Sequence, residues 1–465
     1  MNIKSPSTPS QYQVGTLSYT KWGLISVFFW ILWGDFCLNI MEAVVPNLLP
    51  LRLKQLEASN ATIALIMSTI PGVMNMLINP VISFKSDRLR TRWGRRIPIL
   101  LLATPFITLF MALIGFSKPI TEFLFNHVTT GLTLPQLSLL LIGMLVVGFQ
   151  FFNMFVMSVF FYLYNDVIPK EFIGRFLALF RLMGILGQTV FNLYLLKHAE
   201  THFEWIFKGS ALLYMVAFCC MCWKVKEGEY PPIEEDSESK GFIENCKLYI
   251  HECFRHKIYW LLFIYNSIFA MAMVTKIYDI LYMKHLGFSL EQIGQINATV
   301  GVLTALLLYP FGVLLDRWHP FKMLRWGLIL MLLSLPLRLV FLFADLTPQE
   351  AFYIWFFGAL VIDIPQVMCM TTDVPVLMKI FPKDRFGQFC SANAFVRSLS
   401  VMGAVTIVGI LMDQISKVAR FSGDEVYKLI PLWQMICFSL TFVIFIMLVR
   451  EWRKKGGDVG YLPPV

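Results

Sequence analysis

The chain has 465 residues, 57% of them hydrophobic and 15% charged, with a mean hydropathy of +0.65. Soluble domains are about 45–50% apolar and about 25% charged, so a water-soluble fold is all but excluded. The net charge of +9, from 39 Lys+Arg against 30 Asp+Glu, reads as the loop bias of a membrane protein and not as a nucleic-acid footprint.

A spanning helix needs about 20 apolar residues. Apolar runs between charged or Gly/Pro-rich breaks predict twelve, at 22–49, 61–84, 97–116, 137–165, 174–196, 205–225, 258–282, 292–314, 324–344, 352–376, 387–411 and 431–449. The first run, from Trp22 past Pro46, is too long for the core of a cleavable signal peptide and reads as a retained span. The one long polar break, 226–257, carries EGEYPPIEEDSESK and is expected to hold a linker and a short surface helix. It divides the chain into a six-helix bundle at 1–225, a cytoplasmic linker, and a second six-helix bundle with a tail at 258–465. Lys and Arg concentrate in the loops on the side of the amino terminus, which places both termini in the cytoplasm.

Charges inside a span are costly and usually face a cavity, so they are the best functional pointers. In span 1, Asp35, Asn39 and Glu42 fall at i, i+4 and i+7 and share one helical face. This stripe suits substrate hydrogen bonding by Asp35 and Asn39 and proton binding by Asp35 or Glu42. Span 2 ends in NPVISFKSDRLRTRWGRR, where Asp87 can bond a neighbouring helix start or pair with Arg88, Arg92 or Arg95 as a gate. The alternative is anchoring to anionic lipid by Arg90, Arg92, Arg95 and Arg96. Spans 2 and 4 offer only amides at depth, namely Asn75, Asn79, Gln150 and Asn153. Arg181 lies about 12 Å into span 5 at 1.5 Å per residue, too deep to snorkel, and should have a buried partner.

The second half repeats these signatures. Span 8 ends in YPFGVLLDRWHPFKMLRWG, whose Asp316 and Arg317 echo the first gate, and FPKDRFGQFCSANAFVRSLSVMG before span 11 matches IPKEFIGRFLALFRLMG before span 5. Lys208, Lys276, Asp279 and Arg338 sit near the outer ends, where snorkelling or a local Lys276/Asp279 pair accounts for them. Span 10 carries Asp363, a substrate or proton site, and Asp373; Pro365 and Pro375 should break it. Arg397 lies deep in span 11. The pattern predicts an all-α membrane protein with twelve transmembrane helices in two pseudo-symmetric six-helix bundles, with a central pathway between them.

All seven histidines fall in predicted loops, so no buried histidine relay exists and protons would travel on carboxylates. Cys246, His251, Cys253 and His256 fit no zinc spacing, the nine cysteines read as reduced thiols, and neither a catalytic set nor GxxxxGK[ST] occurs. A metal, a cofactor and an enzymatic activity are therefore not expected. Asn60-Ala61-Thr62 is a glycosylation acceptor in a predicted outer loop.

On these motifs the sequence resembles the major facilitator superfamily. Within it, SDRLRTRWGRRIP at 86–98, GDF at 34–36 and PKEFIGRFLALFR at 169–181 resemble the glycoside-pentoside-hexuronide symporters related to the melibiose carrier. Plant-type sucrose carriers and lysolipid carriers share a similar basic loop. The resemblance implies the major facilitator fold, alternating access and a sugar substrate, with Asp35 and Arg181 at the positions of the family's sugar contacts and Arg397 at that of its span 11 cation. Acidic residues on helices 2 and 4 form the family's cation site; amides stand there in this chain, which favours protons over sodium. The expectation is a monomeric sugar/proton symporter of the plasma (inner) membrane. A carrier of a lipid-like solute, or a transporter-like sensor, is the alternative.

Overall fold

The computed structural model describes residues 12–127, 131–229, 249–344 and 346–464, and only the backbone of Pro80, Ser83, Phe84, Asp87, Asp384 and Val459. Among the described residues twelve helices are long and apolar enough to cross a membrane. They are span 1 (Lys21–Gln55), span 2 (Asn60–Asn79), span 3 (Ile97–Gly115), span 4 (Leu134–Val167), span 5 (Ile173–His198) and span 6 (Phe203–Lys224), then span 7 (Lys257–His285), span 8 (Leu290–Arg317), span 9 (Pro320–Phe343), span 10 (Pro348–Ile380), span 11 (Phe386–Ile415) and span 12 (Gly423–Lys454). Each of the twelve apolar runs is one of these helices. Large apolar side chains such as Leu306, Leu333 and Phe343 stay exposed on them, as contact with lipid requires. Outside the spans lie a two-stranded hairpin, Tyr12–Val14 against Leu17–Tyr19, and a surface helix, Ser117–His127, neither of which the apolar pattern marks.

The start of each fourth helix shows why the halves repeat. Gln136 accepts the N–H of Thr133 (3.1 Å) at the head of span 4, and Glu350 accepts the N–H of Thr347 (2.9 Å) at the head of span 10. Both helices also carry proline in the first turn. A Thr with a Gln or Glu three residues on satisfies amides that no helical carbonyl can reach, and proline at the first positions sacrifices none.

The chain forms two compact units, one within Met1–Leu48 and Met74–Glu234, the other within Leu49–Val73 and Glu235–Val465. Unit 1 packs around Phe160, Phe176 and Phe218, and unit 2 around Leu262, Phe263, Leu324, Leu328 and Phe445. A division of the chain at the 226–257 break alone puts the tip of the first helical hairpin, Leu49–Val73, in the wrong unit. Polar bonding ties that tip into unit 2. The Asp413 carboxylate accepts the N–H groups of Asn60 (2.8 Å) and Ala61 (2.9 Å), while Tyr278 and Tyr427 donate to the carbonyl and side-chain oxygens of Asn60, both at 2.8 Å. Gly409 permits this approach, because a Cβ there would meet the Ala61 Cα at 2.9 Å. Asn60, expected in an outer loop, is thus a buried first residue of span 2.

The helix break also lies elsewhere than expected. Span 10 runs unbroken through Pro365 and Pro375, whereas span 7 is interrupted by a tighter 3₁₀ stretch, Val274–Tyr278. Proline leaves the carbonyl four residues back, here those of Val361 and Thr371, without its amide, a loss that a transmembrane helix tolerates where neighbouring groups or local adjustment make it up.

Candidate substrate and coupling site

Small residues bring the span 1 stripe close to its neighbours. Gly187 of span 5 lies so near span 1 that a Cβ would meet the Phe36 carbonyl oxygen at 2.8 Å, and Gly184 lies against the Asn39 amide. Such contacts let helix backbones approach in a bilayer. Asp35 is buried, and its Oδ1 accepts a hydrogen bond from Asn39 Nδ2 at 3.0 Å; the same amide donates to the Asp35 carbonyl. Its second oxygen, Oδ2, is buried without a partner among the described residues. Glu42 Oε1 accepts from Asn153 Nδ2 of span 4 at 3.0 Å. A further amide of the stripe region, Asn79 of span 2, accepts from Ser158 of span 4.

Sequence reasoning treated Asn153 as a departure that left a cation site without charge. In the structure that amide holds a carboxylate supplied by span 1. Span 1 thus brings a carboxylate, Glu42, to the amide of span 4.

Arg181 departs from expectation. It is exposed and forms neither ion pair nor hydrogen bond with the described residues. Among the described residues, Asp35 takes its one side-chain hydrogen bond from Asn39 of its own helix and not from Arg181.

Unit 2 holds its carboxylates differently. Asp363 of span 10 is buried and takes a hydrogen bond from the Thr304 hydroxyl of span 8, 2.9 and 3.0 Å from its two oxygens. Lys276, in the 3₁₀ break of span 7, is exposed and has Asp279, Arg338 and Asp363 as electrostatic neighbours on spans 7, 9 and 10. The guanidinium of Arg338 lies 4.5 Å from the Trp355 ring centroid. The expected local Lys276/Asp279 pair thus extends to charges on spans 9 and 10. Arg397 is exposed, with Asp373 as its electrostatic neighbour, and Asn266 of span 7 bonds Asn393 of span 11 at 3.0 Å. His198 and His285 close spans 5 and 7 as their last residues, so histidine reaches span ends but no span interior.

The basic loop 86–98 is organised by two acids that the motif does not contain. Asp166, at the end of span 4, takes two hydrogen bonds from Arg95 (3.0 and 2.7 Å) and one from Arg96 (3.2 Å). Glu227, just past span 6, accepts the backbone N–H groups of Arg95, Arg96 and Ile97 at 2.9, 2.9 and 2.6 Å. This carboxylate sits at the positive end of span 3. Arg95, expected as a partner of Asp87, bonds Asp166. The Asp87 side chain lies outside the described residues. Arg88 is exposed, and Asp316 and Arg317 are exposed and bond none of the described residues.

The family model described as Major Facilitator Superfamily matches residues 190–406. Among solved structures, a bacterial homologue of the human lysosomal transporter Spinster, inward-facing and unoccupied, is similar at TM-score 0.69 and 12% identity, covering 96% of this chain and 100% of that one. A mutant form of the nucleoside transporter NupG gives TM-score 0.68 at 10% identity, covering 91% of this chain and 99% of that one. A D-xylose-proton symporter gives 0.63 at 12%, covering 90% and 97%. No curated protein sequence matches at a significant level. Twelve spans in two six-helix halves, with these neighbours, define the major facilitator fold.

Proposed function

We propose that the chain is a secondary transporter of the major facilitator type that moves a sugar or glycoside together with protons by alternating access. The observation that carries this reading is the pair of span 1 carboxylates, Asp35 and Glu42, each held by a side-chain amide and not by a cation. An amide donor serves a carboxyl group in either state, because the protonated form still offers its carbonyl oxygen. Binding and release of a proton then leave the local bonding in place. The unpartnered Asp35 Oδ2 suits a substrate hydroxyl or the proton itself. Asp35, Asn39 and Arg181 in unit 1 and Asp363 and Arg397 in unit 2 are the substrate contacts to test; Asp35, Glu42 and Asp363 are the proton carriers. The similarity to a D-xylose-proton symporter supports this substrate class and coupling. The lysine and arginine bias of the loops supports a plasma-membrane carrier with both termini cytoplasmic, and the loop 86–98 is its gate.

The test is uptake of labelled sugars into proteoliposomes. Uptake should follow an inward proton gradient, collapse with a protonophore and ignore sodium. Accumulation driven by sodium alone, at equal pH on both sides, overturns the coupling assignment.

A further inference from the structure

At the end of unit 1 that holds the basic loop, the proposed gate, lies a groove with a chemistry of its own. A cavity of about 640 Å³ opens between the start of span 3 and the end of span 6, lined among others by Arg92, Trp93, Leu101, Trp223, Lys226 and Glu227. Its one carboxylate is engaged: both Glu227 oxygens accept backbone N–H groups. The nearby Asp166 is taken by Arg95 and Arg96. Arg92 and Lys226 are exposed and have no carboxylate partner among the described residues, and Arg92 only stacks on Trp93, at 5.2 Å. Two unpaired cations therefore face a groove whose deeper wall, at Leu101 and Trp223, is apolar.

The indoles locate the groove relative to a membrane. Trp93 is 55% exposed and Trp223 is 77% exposed, each at the end of a span, the level at which tryptophan gathers at the boundary between headgroups and acyl chains. A second groove of unit 1, about 560 Å³ and walled by Tyr194, Trp205 and Leu213, has no Lys or Arg in its lining. The second groove is the more apolar of the two, and its titratable side chains are Tyr194 and the histidines His198 and His202.

We propose that the Arg92–Lys226 groove binds the phosphate group of an anionic phospholipid, with an acyl chain along Leu101 and Trp223. Arg92 offers a forked donor to phosphate oxygens, Lys226 a point charge, and the aromatic wall excludes water from the chain below. The second groove, without a cation, takes acyl chains with no preference for headgroup charge.

Lipid binding to the purified full chain, read by native mass spectrometry, tests this. Phosphatidylglycerol should bind more tightly than phosphatidylcholine. Arg92→Gln or Lys226→Gln should weaken phosphatidylglycerol about fivefold each and the double variant about 25-fold, from about 1 kcal/mol per cation at a membrane surface. Phosphatidylcholine binding should stay unchanged in all three, which also reports that they fold. Lys322→Gln, an exposed lysine likewise stacked on a tryptophan but outside the groove, should change nothing. Trp223→Ala should weaken the lipid and leave inorganic phosphate unaffected. Unchanged phosphatidylglycerol affinity in the double variant overturns the site. Inorganic phosphate binding as tightly as the lipid overturns the lipid as its source, leaving a free-anion site.

Discussion

The two units surround their intramembrane carboxylates with different charges. In unit 1, Asp35 and Glu42 are bonded by the neutral amides of Asn39 and Asn153; in unit 2, Asp363 is bonded by the neutral hydroxyl of Thr304 but also has the cation Lys276 as an electrostatic neighbour, and Asp279 has Arg338 and Lys276. A carboxylate held by an amide can change its charge without orphaning a partner. One facing a cation cannot, because neutralising it leaves the opposite charge uncompensated in a low-dielectric setting, which is the costly half of breaking such a pair. If the proposed proton coupling holds, this difference favours Asp35 and Glu42 over Asp363 as the residues to test first.

The strongest test of this contrast neutralises each carboxylate in turn. Asp35→Asn and Glu42→Gln should abolish gradient-driven accumulation while the protein still folds; in at least one of them, substrate exchange across the membrane should persist. If both variants accumulate substrate like the native chain, the contrast carries no mechanism. In unit 2 the expectation is charge coupling. Asp363→Asn and Lys276→Met should each lower thermal stability, and the double variant should recover part of the loss, with a coupling of about 1–3 kcal/mol in a double-mutant cycle. Additive losses would mean that Lys276 and Asp363 act separately.

A smaller effect is expected at the basic loop, where ion pairs take the place of amide bonds. Asp166→Asn removes the partner of two arginines, one buried, and should cost about 1.5–3 kcal/mol, as for a hydrogen bond to a charged group, measured by thermal unfolding in one detergent. Tyr427→Phe deletes a single neutral bond to Asn60 and should cost about 1 kcal/mol. Because Asn60 is only 4% exposed and its side-chain oxygen is engaged, the folded native chain made in a glycosylating host should carry no glycan there. A glycan at Asn60 found by peptide mapping would mean that the acceptor is modified before the hairpin tip docks or is released from Asp413 afterwards.

Helix number, the repeat and the polar stripe of span 1 were legible because they are properties of order along one chain. Apolar run length marks a span, and spacing of 3.6 residues per turn puts Asp35, Asn39 and Glu42 on one face. Partners were not legible. Nothing near Glu42 in sequence points to Asn153, and nothing in the loop motif points to Asp166 or Glu227, since each lies on another helix. Arg181 shows the converse: its depth was legible, yet among the described residues it has no buried partner. Prolines misled the reading of span 10, which continues through both, because a transmembrane helix tolerates the one lost backbone bond at each.

By itself, then, the sequence determined that the chain crosses a membrane twelve times, that its halves repeat, and which charges lie inside the spans, because a bilayer imposes length and apolarity on every crossing. Tertiary structure alone decided which of those charges meet. It tied the tip of the first hairpin into unit 2 through Asp413, set a break in span 7 and none in span 10, and left Arg92 and Lys226 unpaired while Arg95 and Arg96 were not. The physical reason is that a hydrogen bond or ion pair spans only about 3–4 Å, and which side chains come that close depends on how helices distant in sequence pack together.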